Sequence, residues 1–270
     1  MSDFFADNNW TGLSDVIETE SEFIPLISPE DEDRMNMEKV PEELPILPLR
    51  NNVLFPGVVI PITLGRDKSI KLIQDAYKGN KIIGVVSQKD SSEEEPNYDD
   101  LFKIGTVAQI VRMLKMPDGS STIIIQGKKR LQLVQELSNE PYLLAKVEEF
   151  NEARLKKVSK ESEALFDSLK DMALNIIKNS PNIPSEASFA IKNIESPNFL
   201  VNFISSHMNA QVNEKQKMLE EPNINKRAQL LMKHLNKELQ HLELKNDIQS
   251  RVKTDLDQQQ KEYFLHQQMK

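Results

Sequence analysis

The sequence predicts an α+β protein: a small, partly closed β-barrel carrying one helix, then an α-helical bundle and a long C-terminal helix. Three observations carry this expectation. All eight glycines lie at or before Gly127, so the tight turns are confined to the first half. Apolar residues alternate up to Phe150 and recur at helical spacing after it. From Asn223 to Lys270, 48 residues pass with neither glycine nor proline.

Residues 1–43 hold 13 Asp and Glu against Arg34 and Lys39, a net of −11, whereas residues 44–270 carry a net of +3. Phe4, Phe5, Trp10, Phe23 and Ile24 are scattered singly or in pairs. Such a stretch buries too little surface to offset its ordering entropy, so it reads as a disordered acidic tail. A short docking motif around Phe4–Trp10 or Phe23–Leu26 is the functional alternative.

Residues 44–150 read as the barrel. Val58, Ile60, Ile62 and Leu64 alternate along a strand whose Pro61 places it at an edge or bulge. Asp67 opens a helix, Ile70, Ile73 and Tyr77 share one face, Lys78 sits in the last turn and Gly79 ends it. Lys81–Ser87 is a short apolar strand, and Ser91–Asp100 an acidic loop. Ile104–Met116 and Ser121–Gln126 are strands joined by a hairpin at Pro117-Asp118-Gly119-Ser120. Lys129–Glu136 and Tyr142–Phe150 add two more strands, and the sum suggests the barrel.

Residues 151–222 read as a helical subdomain. Leu155, Val158, Leu165, Leu169, Met172 and Ile176 keep a three-to-four spacing, Ser162 fills the polar slot, and Pro181 and Pro184 close the helix. Ser185 can cap the next helix, and Ser196-Pro197 pairs an N-cap with a proline at the first helical position. Phe199, Leu200, Phe203 and Ile204 form that helix's apolar face. Residues 223–270 follow as a helical arm, about 70 Å long at about 1.5 Å per residue. Ala228, Met232, Leu235, Leu239 and Leu242 keep a heptad spacing that slips before Ile248 and Val252. The last residues, Tyr263-Phe264-Leu265 onward, bring no cap or stop signal, so the chain reads as ending inside a helix.

The residue inventory argues against chemistry. Cysteine is absent, which removes disulfides, thiolate metal sites and cysteine nucleophiles, and it fits a reducing compartment. Met1–Asp7 offers no basic leader, and no apolar run reaches the roughly 18 residues of a membrane span, so the cytoplasm is expected. Gly127-Lys128-Lys129 fails as a phosphate loop because Lys129 stands where Ser or Thr is needed. His234 and His241, with Glu238 between them, lack a further ligand, so no metal is expected. Lys128-Lys129-Arg130 reads as a solvated strand end more than as a phosphate contact.

Four ordered stretches then identify a family. Pro45-Ile46-Leu47-Pro48-Leu49-Arg50-Asn51-Asn52-Val53-Leu54-Phe55-Pro56-Gly57 resembles the opening signature of the N-terminal domain of Lon proteases. Gly65–Ile70, Leu101–Ile110 and Glu214–Glu220 match in order, and Lys261–Lys270 resembles the lead into an ATPase module. The resemblance covers residues 44–270 and implies a PUA-like barrel, a helical subdomain and an arm feeding a hexameric AAA+ protease. It implies ATP and magnesium for the whole protein but no cofactor and no catalytic residue for this chain. The partners it implies are unfolded or tagged protein substrates and further copies of the chain. Two other classes remain open: a nucleic-acid module, disfavoured by the near-neutral core, and a passive coiled-coil adaptor.

Substrate contacts are expected at an adaptable apolar rim. Met113 and Met116 beside the hairpin are the first candidates, because methionine is unbranched and polarizable. Leu54 and Phe55 offer a second apolar run, with ordinary core as their alternative, and Arg66, Asp67 and Lys68 add charge at a helix start.

Overall fold

The structure, a computed structural model, describes residues 29–115, 121–150, 159–180 and 185–268. The sheet strands are β1 (Glu43–Leu49), β2 (Val59–Leu64), β3 (Ile82–Ser87), β4 (Ile104–Lys115), β5 (Ser121–Ser138) and β6 (Leu144–Glu149). Seven α-helices are described: α1 (Pro29–Met37), α2 (Asp67–Lys78), α3 (Lys160–Asn179), α4 (Ser185–Asn193), α5 (Pro197–His207), α6 (Val212–Glu220) and α7 (Ile224–Gln268).

The strands form one mixed sheet in the order β2-β5-β4-β3-β1-β6, and β6 also pairs with the far half of β5. β1 and β3 run parallel, with α2 in the crossover between them; every other pairing is antiparallel. The expected small, partly closed barrel is thus met in part: with the helices stands a mixed sheet that curls until β6 meets β5. The long β5 explains the curl, since its first half bonds β2 and β4 and its second half bonds β6.

Ser121–Gln126 and Lys129–Glu136, expected as separate strands, are one strand of 18 residues running through Gly127. Gly127 is there for closeness, not for a turn. A Cβ at this position would stand 2.3 Å from the Phe55 carbonyl oxygen. Gly57 N–H donates to Gly127 O and Gly127 N–H to Val58 O, each at 2.9 Å, strapping the loop before β2 onto β5. That loop bends at Asn51 and Gly57, both with positive φ, where glycine meets no steric penalty.

α2 spans Asp67–Lys78 as the sequence indicates, and Gly79 N–H closes its last turn onto Ala76 O. Ser196 accepts from Phe199 N–H at 3.2 Å with Pro197 beginning α5. Ser159 caps α3 through Ser162 N–H. Ser185 is the first residue of α4, not the residue before it. α6 was not among the expected elements.

The tail expectation needs a correction as well. Pro29–Met37 is helical, its first turn carries Glu30, Asp31 and Glu32 at the positive end of the dipole, and Met35 is buried. Residues 1–28 and the docking motifs within them lie outside the described residues.

One hydrophobic core runs through sheet and bundle. Phe55, Ile60, Ile110 and Ile125 belong to the same cluster as Phe166, Leu169, Phe203 and Leu231. A second cluster, including Leu44, Ile46, Leu101, Leu131 and Val147, fills the inside of the curl. Along α7 burial fades: Ala228, Leu231 and Leu235 are buried, Leu239 and Leu242 half-buried, and Ile248, Val252 and Leu256 more than half exposed. The first turns of the arm therefore pack on the bundle and the rest projects from it.

Candidate functional site

Two neighbouring surfaces gather most of the expected contact residues. The first begins at the start of α2. Arg66, the residue before the helix, donates from Nη2 to Gln88 Oε1 at 2.6 Å and to Glu93 O at 3.4 Å. Gln88 in turn donates from Nε2 to Asp90 O and Glu93 O at 2.7 and 2.9 Å, so this arginine staples the acidic loop after β3. Burial, with Arg50 nearby, lowers the Arg66 pKa from its usual value. Lys68, two residues on, pairs with Glu140 at 2.8 Å and donates to Asn139 O at 3.2 Å; its pKa is raised, chiefly by the hydrogen bond to Glu140. Arg66 and Lys68 border a small cleft floored by Ile46, Leu72 and Leu143, with Tyr142 at its side. Asp67 sits in the first turn of α2, where its carboxylate complements the helix dipole.

The second surface is the end of the β4–β5 hairpin. Met113 is half-buried and packs against the core, while Val111 is 41% and Leu114 38% exposed. Met116 lies outside the described residues. Leu54 and Phe55 are removed from the contact set, since they are 2% and 0% exposed. Thr106 Oγ1 donates to Leu54 O at 2.6 Å and Ser87 Oγ to Asn52 O at 2.6 Å, which holds their loop down on the sheet.

Two residues of the basic run on β5 have partners within the fold. Lys129 pairs with Glu149 at 3.2 Å, and buried Arg130 donates to Leu219 O and Glu221 O. His234 lies 3.8 Å from Glu214, and His241 is exposed. Among the described residues no group of three or more His, Cys, Asp or Glu is placed to hold a metal ion. No described helix is long and apolar enough to cross a membrane.

Composition did not point to an ionisable cluster in the bundle. His207 on α5 and Glu238 on α7 line one apolar pocket walled by Ile176, Phe203 and Leu235, and Lys215 on α6 lies close enough to act on both electrostatically. Burial pushes His207 down to about 4 and Lys215 down to about 8, and it raises Glu238. Lys215 Nζ donates to Ser206 O at 2.7 Å. A lysine and a glutamate 23 positions apart carried no signal of this meeting, because α6 itself was not foreseen.

Residues 43–237 match the family described as the ATP-dependent protease La (LON) substrate-binding domain. The chain is 60% identical over 253 residues to a Lon protease of Flavobacterium johnsoniae and 49% identical over 256 residues to that of Cytophaga hutchinsonii. Each alignment takes in 94% of this chain but only 31% and 32% of those relatives, so the chain spans about a third of their length. Its fold is shared with the N-terminal domain of a Mycobacterium avium complex Lon protease, at TM-score 0.60 and 19% identity, covering 72% of this chain and 98% of that one. A Lon N-terminal domain protein from Xanthomonas campestris gives TM-score 0.52 at 16% identity, over 70% of this chain and 96% of the other. With a match across residues 43–237 and a 60% identical relative along nearly its whole length, the chain belongs to the Lon protease family, as its substrate-binding domain.

Proposed function

We propose that this chain is the substrate-recognition and assembly region of an ATP-dependent serine protease that degrades damaged, misfolded and selected regulatory proteins in the cytoplasm. The observation that carries the reading is the family match over residues 43–237, set beside relatives about three times as long. In this reading the curled sheet is a PUA-like recognition module. ATP and magnesium act elsewhere in the whole protein, in an engine to which α7 leads.

The recognition surface combines Met113, Met116, Arg66, Asp67 and Lys68. Methionine accommodates many apolar side chains, and the charged helix start adds polar contacts to an unfolded chain. Assembly rests on the projecting half of α7. Leu244, Ile248, Val252 and Leu256 recur every four residues and are each more than half exposed, a row suited to further copies of the chain.

The test is direct. Reduced, carboxymethylated α-lactalbumin, which stays unfolded, binds the purified chain, and its native disulfide-bonded form does not. The same preparation turns over neither ATP nor casein. Equal affinity for both forms of α-lactalbumin, or turnover that tracks the chain through column fractions, would overturn the reading.

A further inference from the structure

The geometry points to the distal edge of β4, residues Val111–Lys115, as a docking edge that takes an extended segment of an unfolded polypeptide as an added strand. This rests on the recognition reading above and specifies how the substrate is held.

β4 is longer than its neighbour on that side. β3 stays in register with β4 only up to Ile82↔Gln109, whereas β5 pairs with β4 all the way to Lys115↔Ser121. The last bond on the β3 side is Ile110 N–H to Lys81 O at 2.8 Å. Beyond it, among the described residues, no strand lies beside Val111–Lys115. Five residues at about 3.4 Å each give an open edge of about 17 Å.

The direction of its free groups follows from the ladder. Ile110 points its amide away from β5, and the register shift at Val111 inserts one extra residue before Arg112↔Ile124. Ile124 also faces Pro61 on β2, which has no N–H to give, so Ile124 makes its ladder bonds with Arg112. Bonded and non-bonded positions alternate in an antiparallel pair, so Met113 turns both its N–H and its C=O outward. The sheet's other long edge, on β2, lacks a donor at Pro61 for the same reason.

Side chains flank this edge on both faces. Leu114 and Val111 are exposed, and half-buried Met113 leans on the core, so an incoming strand finds apolar neighbours at alternate positions. Main-chain bonding is indifferent to sequence, which suits a receptor of many unrelated chains. The bulge at Val111 disfavours the in-register pairing of two identical edges.

The experiment uses the whole chain and a fluorescent nine-residue peptide of alternating valine and threonine, read by anisotropy. N-methylation at every second residue is placed in one parity or the other, since an added strand bonds along one of its edges only. One pattern weakens binding at least tenfold and the other less than twofold. On the protein side, Met113→Pro removes an outward donor and weakens binding at least fivefold beyond Met113→Ala, which keeps the amide. Equal effects of the two methylation patterns, with the parent peptide still bound, overturn the edge and spare the recognition reading. No binding of either the parent peptide or carboxymethylated α-lactalbumin overturns both.

Discussion

Arg130 on β5 donates through Nη1 to the carbonyl oxygens of Leu219 at 2.7 Å and Glu221 at 2.9 Å, tying the sheet to the C-terminal end of α6. The last carbonyls of a helix have no intrahelical donor and carry its negative dipole end, so a guanidinium satisfies them without a carboxylate. The Phe150 ring lies 5.1 Å from Cζ and covers the other side. Gln216 Nε2 to Ile104 O at 2.8 Å, and Asn202 Nδ2 to Pro56 O at 3.1 Å, complete the joint; Arg227 in turn donates to Asn202 Oδ1 at 2.8 Å.

Replacing Arg130 with methionine therefore leaves buried carbonyls unpaired. A loss of about 2–4 kcal/mol is expected in urea denaturation, with Arg130→Lys recovering only part because its ammonium lacks the planar fork. A loss under about 1 kcal/mol would mean the joint is held by its apolar core alone.

The arm supplies a graded test. Leu235 is 3% exposed against 53% for both Val252 and Leu256. Truncation of Leu235 to alanine is expected to cost about 2–5 kcal/mol, with Leu239 and Leu242 intermediate. Val252→Ala and Leu256→Ala should stay within about 0.5 kcal/mol. Similar losses at all sites, measured on one denaturation series, would contradict a projecting second half.

Much of this was legible because it is local. The heptad positions that slip after Leu242 are the ones where burial ends, and Gly79 and Ser196-Pro197 bound their helices through bonds to near neighbours. What was not legible depends on distant chain. Lys128-Lys129-Arg130 looked solvated, yet Arg130 meets carbonyls 89 and 91 positions away. Leu54 and Phe55 sat in a loop with an ambiguous apolar run, and only the strap to Gly127 decides that they are core. Val111, Val134 and Leu137 are exposed although they lie on strands, because each falls at a register shift that breaks the alternation. Of the expected contact residues, Arg66 and Lys68 border an open cleft and Met113 is half-buried, but nothing in the sequence distinguished Arg66, a loop staple, from Lys68.

Gly127 offers a test of close packing. Its added Cβ would meet the Phe55 backbone carbonyl, which cannot rotate away as a side-chain end can. Gly127→Ala is expected to lower stability by about 1–3 kcal/mol, as overpacking does. Calorimetry showing an unchanged or raised melting temperature would contradict the strapped loop.

His207 sets a pH dependence. Burial holds its ring down to about 4, whereas in the unfolded chain it titrates near the ordinary histidine value of 6.5. Above the higher value both states are neutral, and this stability is fully present. As pH falls from 6.5 towards 4 the unfolded state takes the proton first and the stability is lost. Glu238, raised by burial, works in the opposite direction, so a difference between variants is the clean readout. Relative to His207→Leu, the parent chain should lose about 2 kcal/mol between pH 7 and about pH 4.5. A difference that stays flat across that window would place the ring in contact with water.

Lys68 and Arg66 separate binding from scaffolding. Arg66 is part-buried and bonds Gln88 at 2.6 Å, so its removal frees the acidic loop as well as a surface charge. Lys68 pairs with Glu140 across exposed side chains, 37% and 79% accessible, where an ion pair contributes little to folding. Arg66→Ala is therefore expected to lower both the melting temperature and the affinity for carboxymethylated α-lactalbumin. Lys68→Ala should leave melting unchanged, so any change in affinity belongs to the site. A severalfold loss of affinity at constant melting temperature is the expected result, and it should shrink as salt is raised, since an exposed charge is screened. Unchanged affinity in Lys68→Ala, with affinity in Arg66→Ala falling only in step with stability, would remove the start of α2 from the recognition surface and leave the β4–β5 hairpin as its remaining part.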